Sequence, residues 1–303
     1  MIVPKSPQVL RMVQYIGRPL ILMAVYDLAV AIAFKGLHWR WIAFPHVPLA
    51  LYGSAIGIIL AFRNNSAYER WWDARKLWGA IVNNSRHLAR QVITSMRAKP
   101  EDQSALIAMQ HRIVYLQIAF VHALRHHLRQ LDPFKELASL LNEQELNSLR
   151  DQKNIPVALQ YQIGLLLQQS EACGWINPLQ WQAMDHSLNN LGDAQGGTER
   201  TKNTPMPKQY DYFPQLFVQI YCVLLPLAMV TNLGWFTPLG STLVAFIFLA
   251  LDKIGRDLED PFDNTVFDIP LSAITTTIEI NLRQALGEVE LPTPEKPIQG
   301  VLW

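Results

Sequence analysis

The sequence predicts an all-α membrane protein, with four transmembrane helices and a large helical cytosolic portion. Three observations predict it. Hydrophobic residues make up 50% of the 303-residue chain and charged residues only 17%, against roughly a quarter charged in an average soluble domain. The apolar residues are gathered into long runs rather than spread evenly. Strand signals are nearly absent, and the polar middle of the chain repeats its apolar residues at helical spacing. The net charge of +1 lacks the positive excess of a nucleic-acid binder. Disorder is excluded too, because it needs low hydrophobicity and high net charge. Cys173 and Cys222 sit in unlike surroundings and read as two free thiols, neither a disulfide framework nor a zinc site.

The four runs are Pro19–Phe34, Val47–Phe62, Phe213–Phe236 and Pro238–Leu251. They predict membrane helices at about 19–36, 47–62, 213–236 and 238–254. A span takes about 20 mostly apolar residues and at least roughly 17. The third run passes alone; the others need their Tyr, Trp and His residues at the interface. The rival is a soluble helical protein with long buried helices. Charge placement favours the membrane. Lys5, Arg11 and Arg18 precede the first run, Arg63, Arg70, Arg75 and Lys76 follow the second, and Arg200, Lys202 and Lys208 precede the third. Lys253 and Arg256 follow the fourth, whereas the two hairpin tips hold only Lys35 and Arg40. The positive-inside rule then puts both termini and the middle region in the cytoplasm. Cleavage of a signal peptide after Ala31 is the weaker reading of the first run; an uncleaved span is the better one. Asp27 then reads as an intramembrane carboxylate facing a bundle interior or a water path, or else as an interfacial one near the helix end.

The cytosolic region 63–212 is helical throughout. Trp71, Trp78, Ile81, Leu88, Val92 and Ile93 recur near helical spacing, so one long helix is expected to leave the membrane and run to about Ala98. Further helices are expected at 101–131, 142–152, 156–172 and 178–191, followed by a Gly-, Thr- and Pro-rich loop over 192–207. The C-terminal segment 255–303 is expected to hold a capped turn, a helix over 271–286 and an extended tail from Leu291 that lies on a neighbour or blocks a path. No internal repeat divides the chain, so 1–303 reads as one unit.

Catalytic signatures are missing: no HExxH, no GxSxG, no phosphate loop and no GxGxxG after a strand. The sequence thus predicts neither an enzyme nor a cofactor. His122 and His126 stand i, i+4, a spacing that can hold a metal. No third ligand accompanies them, so surface or packing histidines are the reading and no metal site is predicted. Glu69 and Asp73 stand i, i+4 among Arg70 and Arg75 and read as helix-surface ion pairs.

Two longer segments carry a resemblance. FRNNSAYERWWDARKLWG at Phe62–Gly79 and LEDPFDNTVFDIPL at Leu258–Leu271, with TPMP at Thr204–Pro207 before the third run, resemble the bestrophin family in its bacterial branch. The resemblance covers nearly the whole chain. It implies a homopentameric, passive ion channel around a central pore in the bacterial inner membrane, whose partners are its own copies, the lipid bilayer and small monovalent ions.

The resemblance also implies a pore neck at Ser54, Ile58 and Phe62, which share a helix face at i, i+4, i+8. Gly53, Gly57 and Ala61 form a neighbouring stripe of small residues suited to close helix approach. An apolar constriction can close to ions by dewetting. Ser54 departs from the bulky apolar residue usual at the top of the neck, which implies a shorter or wetter barrier. The family's lower aperture falls on Thr201, where related bacterial channels carry an apolar side chain. The family's calcium clasp maps to Asp260, Asp263 and Asp268 without a run of consecutive carboxylates, so no calcium gate is expected. The uncharged neck gives no electrostatic filter. Glu69 and Asp73 would make the vestibule negative, but Arg63, Arg70 and Arg75 are equally close, so anion and cation conduction both stay open. The alternative function is a non-conducting membrane scaffold or signalling protein.

Overall fold

A computed structural model describes Met1 and residues 15–298 and 300–303. Lys5 and Arg11, two of the flanking cations, lie outside the described residues. The described chain is helical, and its sole β feature is an isolated bridge between Ile298 and Val301. It divides into two compact units. One comprises residues 4–71 and 205–260; the other comprises 1–3, 72–204 and 261–303. A single helix, Leu49–Ser95, contributes to both.

The first unit holds α1 (Arg18–Ala31), the first half of α2 (Leu49–Ser95), α8 (Lys208–Leu233) and α9 (Thr237–Glu259). A π-helical turn, Ile32–Gly36, extends α1. Its core joins Ile56 and Leu60 of α2 to Val218, Tyr221, Cys222 and Leu225 of α8 and Ala245 of α9. The Tyr221 and Phe248 rings meet edge to face at 4.8 Å. The outward face stays apolar: Ile21, Leu22, Val25, Leu239 and Leu243 are each more than 60% exposed. Water would penalise that surface and lipid would not. Arg18–Gly36 and Lys208–Glu259 are long and apolar enough to cross a membrane. The run at 47–62 belongs to a helix that begins at Leu49 and continues through Arg63 to Ser95, so its apolar part is short.

Pro100–Leu128 also reaches the length and hydropathy of a span, but half of its apolar window is buried within its own unit. There α3 (Gln103–Leu128) is buried almost without interruption from Ile113 to Arg125. A helix buried all round is a core helix. Around it lie α6 (Ile155–Ala172), α7 (Pro178–Asn203) and α10 (Leu271–Ala285). The short helices α4 (Phe134–Leu137) and α5 (Glu143–Leu149) complete the unit. Helix starts follow their capping chemistry. Asn142 with Glu145, and Asn177 with Gln180, form capping boxes, and Pro178 begins α7.

One expectation changes. The loop expected over 192–207 is helix as far as Asn203. Its glycines serve close packing, because a Cβ on Gly197 would stand 2.7 Å from Leu77 of α2. The end of the proline-rich tail rests on its own chain: Trp303 O accepts the Ala273 amide at 2.8 Å, and the Leu302 amide donates to Met1 O at 2.9 Å.

Candidate functional site

Ser54, Ile58 and Phe62, the residues expected to form a neck, lie on the face of α2 that points away from its own core. Ile56, Leu60 and Arg63 face inward and are buried. Ile58 is 58% and Phe62 68% exposed, so two large apolar side chains stand uncovered on one helix face. Ser54 is exposed on the same face, and its hydroxyl donates to Ala50 O at 2.7 Å. A hydroxyl whose proton is taken by its own helix offers no free donor outward but keeps its acceptor lone pairs.

The small-residue stripe divides. Gly53 lies so close to α8 that a Cβ would stand 2.6 Å from the Tyr221 hydroxyl. Gly57 has open space beside it, and Ala61 is exposed. Further along, Glu69 accepts from Asn65 Nδ2 at 2.8 Å. Asp73 pairs with Lys76 at 2.6 Å, not with an arginine. Both members of that pair are more than half exposed, which makes it weak. Thr201 lies in the last turns of α7, half-buried, and its hydroxyl donates to Gly197 O at 3.0 Å.

Arg63 is not an exposed charge. Its side chain is fully buried, and Nη1 donates to Asp252 O at 2.8 Å and to Asp252 Oδ1 at 3.1 Å. Nη2 donates to the Asp211 carboxylate, and Arg256 pairs with Asp252 from the other side. Asn64 Nδ2 donates to Leu251 O at 2.8 Å and Arg70 Nε to Glu259 O at 2.6 Å. The segment FRNNSAYER is thus largely a grip of α2 on α9. Sequence reasoning missed it because the partners lie far along the chain. Gly255 makes the grip possible, since any side chain there would collide with Asn64 and Arg63.

Asp27 is buried among helices. Its Oδ2 accepts from the Ser241 hydroxyl at 2.6 Å and the Thr242 hydroxyl at 2.8 Å. In the other unit, Asp263 pairs with Lys202 at 2.7 Å. Asp268 accepts from the amide and hydroxyl of Thr265, which closes the turn before α10. Phe262 of the same segment is fully buried. Among the described residues no cluster of three or more His, Cys, Asp or Glu has metal-holding geometry.

His122 and His126 instead join a carboxylate network. His122 Nε2 lies 2.9 Å from Glu279 Oε2 and Nδ1 3.5 Å from Glu136 Oε1; His126 and Arg125 also reach Glu136. Arg283 pairs with Glu279 from within α10. Burial opposes the charged imidazole of His122, but hydrogen bonds to Glu136 and Glu279 outweigh it and raise its pKa. Burial would likewise raise Glu136 and Glu279, but His122 and the other cations hold both below the usual carboxylate range. A raised histidine contributes stability below its unfolded pKa of about 6.5 and loses it as pH rises through the folded value. The lowered carboxylates contribute above about 4.3 and lose it as pH falls through theirs. The melting temperature of wild type relative to His122→Gln is therefore expected to fall as pH rises above about 6.5. A difference constant across that range in a thermal melt would refute the charged assignment of His122.

The fold defines a helical membrane protein whose long second helix carries an uncovered apolar face. The chain belongs to the bestrophin family: the model of the bacterial/fungal bestrophin proteins matches residues 9–284. It is 38% identical over 228 residues to a voltage-dependent anion channel-forming protein of Nostoc, covering 75% of this chain and 73% of that protein. A protein of the same description from Escherichia coli K12 is 33% identical over 282 residues, covering 93% and 90%. A crystal structure of a bacterial bestrophin homologue from Klebsiella pneumoniae superposes with a TM-score of 0.82 at 32% identity, covering 89% of this chain and 98% of that one. The Nostoc and Escherichia coli relatives are described as channel-forming proteins.

Proposed function

We propose that the chain is the subunit of a homopentameric, passive ion channel of the bacterial inner membrane, with both termini cytoplasmic and α1, the start of α2, α8 and α9 as its four spans. The exposed Ile58–Phe62 face of α2 carries the reading. Apolar side chains of that size left bare in one subunit are suited to a ring, where they line a constriction that excludes ions by dewetting. Ser54, Ile58 and Phe62 form the neck and Thr201 the lower aperture. The small residues at Gly57 and Ala61 leave room for a neighbouring helix, and Gly53 already packs within the subunit. The descriptions of the relatives as anion channel-forming proteins favour small monovalent anions. With Arg63 committed to Asp211 and Asp252, the proposed vestibule carboxylates are Glu69, bonded to Asn65, and Asp73, already paired with Lys76.

The test is the reversal potential of purified protein in a planar bilayer under a salt gradient. A potential near the anion limit supports the reading, a potential near the cation limit reverses the ion, and no current from a folded oligomer rejects the channel. Thr201→Ile is expected to lower the conductance, because a polar aperture that passes hydrated ions becomes apolar. Unchanged single-channel conductance would remove Thr201 from the conduction path.

A further inference from the structure

One end of the membrane unit has a chemistry that neither its packing nor conduction uses. A cavity of about 540 Å³ opens there, lined by Lys35, His38 and Arg40 with Phe34, Pro45 and Thr231. No Asp or Glu occurs between Asp27 and Glu69, or between Asp211 and Asp252. Neither Lys35 nor Arg40 is in an ion pair among the described residues. The cations therefore converge without a carboxylate to neutralise them, on a chain whose net charge is only +1.

The backbone holds them in that arrangement. Lys35 sits in the π-helical turn, closed by the Leu37 amide donating to Ile32 O at 3.1 Å. The Trp39 amide reaches back to Ala33 O at 3.0 Å. His38 has φ 57°, a left-handed conformation that is costly for a residue with a side chain. The Lys35 stem crosses Gly234 so closely that a Cβ there would stand 2.8 Å from Lys35 Cε. Gly234 itself has φ 56°. The Phe44 amide donates to Leu227 O at 3.0 Å and ties the loop to α8.

The depth of the cavity follows from its aromatic surroundings. Trp39 and Trp41 stack with centroids 6.2 Å apart, and Trp41 is 75% exposed. Trp235 and Phe236 are also exposed at this end. Tryptophans gather at headgroup level, where lipid phosphates lie. We propose that this cavity binds the phosphate of an anionic phospholipid headgroup, with Lys35 and Arg40 supplying charge and His38 and Thr231 supplying hydrogen bonds. The inference needs the chain to span a bilayer and does not need it to conduct.

The experiment counts lipid adducts on the full-length protein in neutral detergent by native mass spectrometry. Phosphatidylglycerol and phosphatidylcholine compete for wild type, Lys35→Gln/Arg40→Gln and a His46→Gln control outside the cavity. All three positions are exposed, and the same spectra report whether the protein is folded. Each cation near a membrane surface is worth about fivefold in affinity for anionic lipid, so the double variant should lose about 25-fold of the preference for phosphatidylglycerol. The control should keep it. An equal preference in wild type and double variant would overturn the site. Displacement of phosphatidylglycerol by millimolar inorganic phosphate would assign the cavity to free anions instead and overturn the lipid assignment.

Discussion

Phe62→Ala is expected to raise the single-channel conductance several-fold and to weaken ion discrimination. The phenylalanine is 68% exposed in the subunit and makes up the lower edge of the proposed neck, one turn below Ile58. A ring of five such side chains would set the width of the constriction and add to the length over which water is expelled. Alanine removes the ring and leaves the helix intact, since alanine has the highest helix propensity. The neighbouring core residues Leu60 and Ile56 point the other way and should not move. Stability should therefore change little while conductance changes greatly, and that separation gives the experiment its force. Single-channel recording in symmetric salt, with a thermal melt beside it, reads both. Equal conductance in wild type and variant would take Phe62 out of the pore and leave it as a lipid- or neighbour-facing residue. Ser54 sharpens the expectation. Its hydroxyl is bonded to Ala50 O, so the upper neck is neither strongly apolar nor a free donor. Most of the dewetting barrier then falls on Ile58 and Phe62, and alanine at Phe62 removes a larger share of it than in a neck of three apolar rings.

The helical class, the two apolar hairpins and the long α2 were legible because each rests on local signals: run length, spacing and caps. The glycines at 192–197 misled for a local reason. Glycine is a turn former in sequence terms, but at Gly197 it allows close approach to Leu77, a contact some 120 residues distant that no window on the sequence contains. Asp27 stood out in the sequence as a carboxylate within an apolar run, whereas its donors Ser241 and Thr242 lie more than 200 residues away. The histidine pair on α3 was visible at i, i+4, but its partners Glu136 and Glu279 come from other helices and turn a metal-like spacing into an ion-pair network. Helical spacing put Ser54, Ile58 and Phe62 on one face, whereas their reading as a neck came from the family resemblance. Which residues of that helix are structural was not legible, and Arg63 is the clearest case.

Arg63→Met is expected to destabilise the protein by about 3–5 kcal/mol, the usual cost of leaving a buried charge without its partner. Arg63 is fully buried, and its guanidinium joins Asp211 at the start of α8 to Asp252 near the end of α9. With Arg256, these four groups sum to zero charge. Methionine fills similar volume, so the loss measures charge and hydrogen bonds more than packing. Asp211 is 38% exposed and can recover water. Asp252 is 3% exposed, retains only Arg256, and carries most of the penalty. Adding Asp252→Asn to Arg63→Met should therefore restore part of the loss, because the uncompensated carboxylate disappears with it. Lys76→Met, at an exposed pair, should cost within about 0.5 kcal/mol. Thermal melts of the four proteins in one detergent decide it. If Arg63→Met melts with Lys76→Met, the buried cluster contributes no net stability. If the double variant is no better than the single one, the cost lies in lost packing and not in the stranded carboxylate. A channel reading gains from the expected destabilisation in a specific way: a guanidinium committed to α8 and α9 keeps α2 from rotating, and a fixed rotation of α2 is what holds Ile58 and Phe62 on the uncovered face.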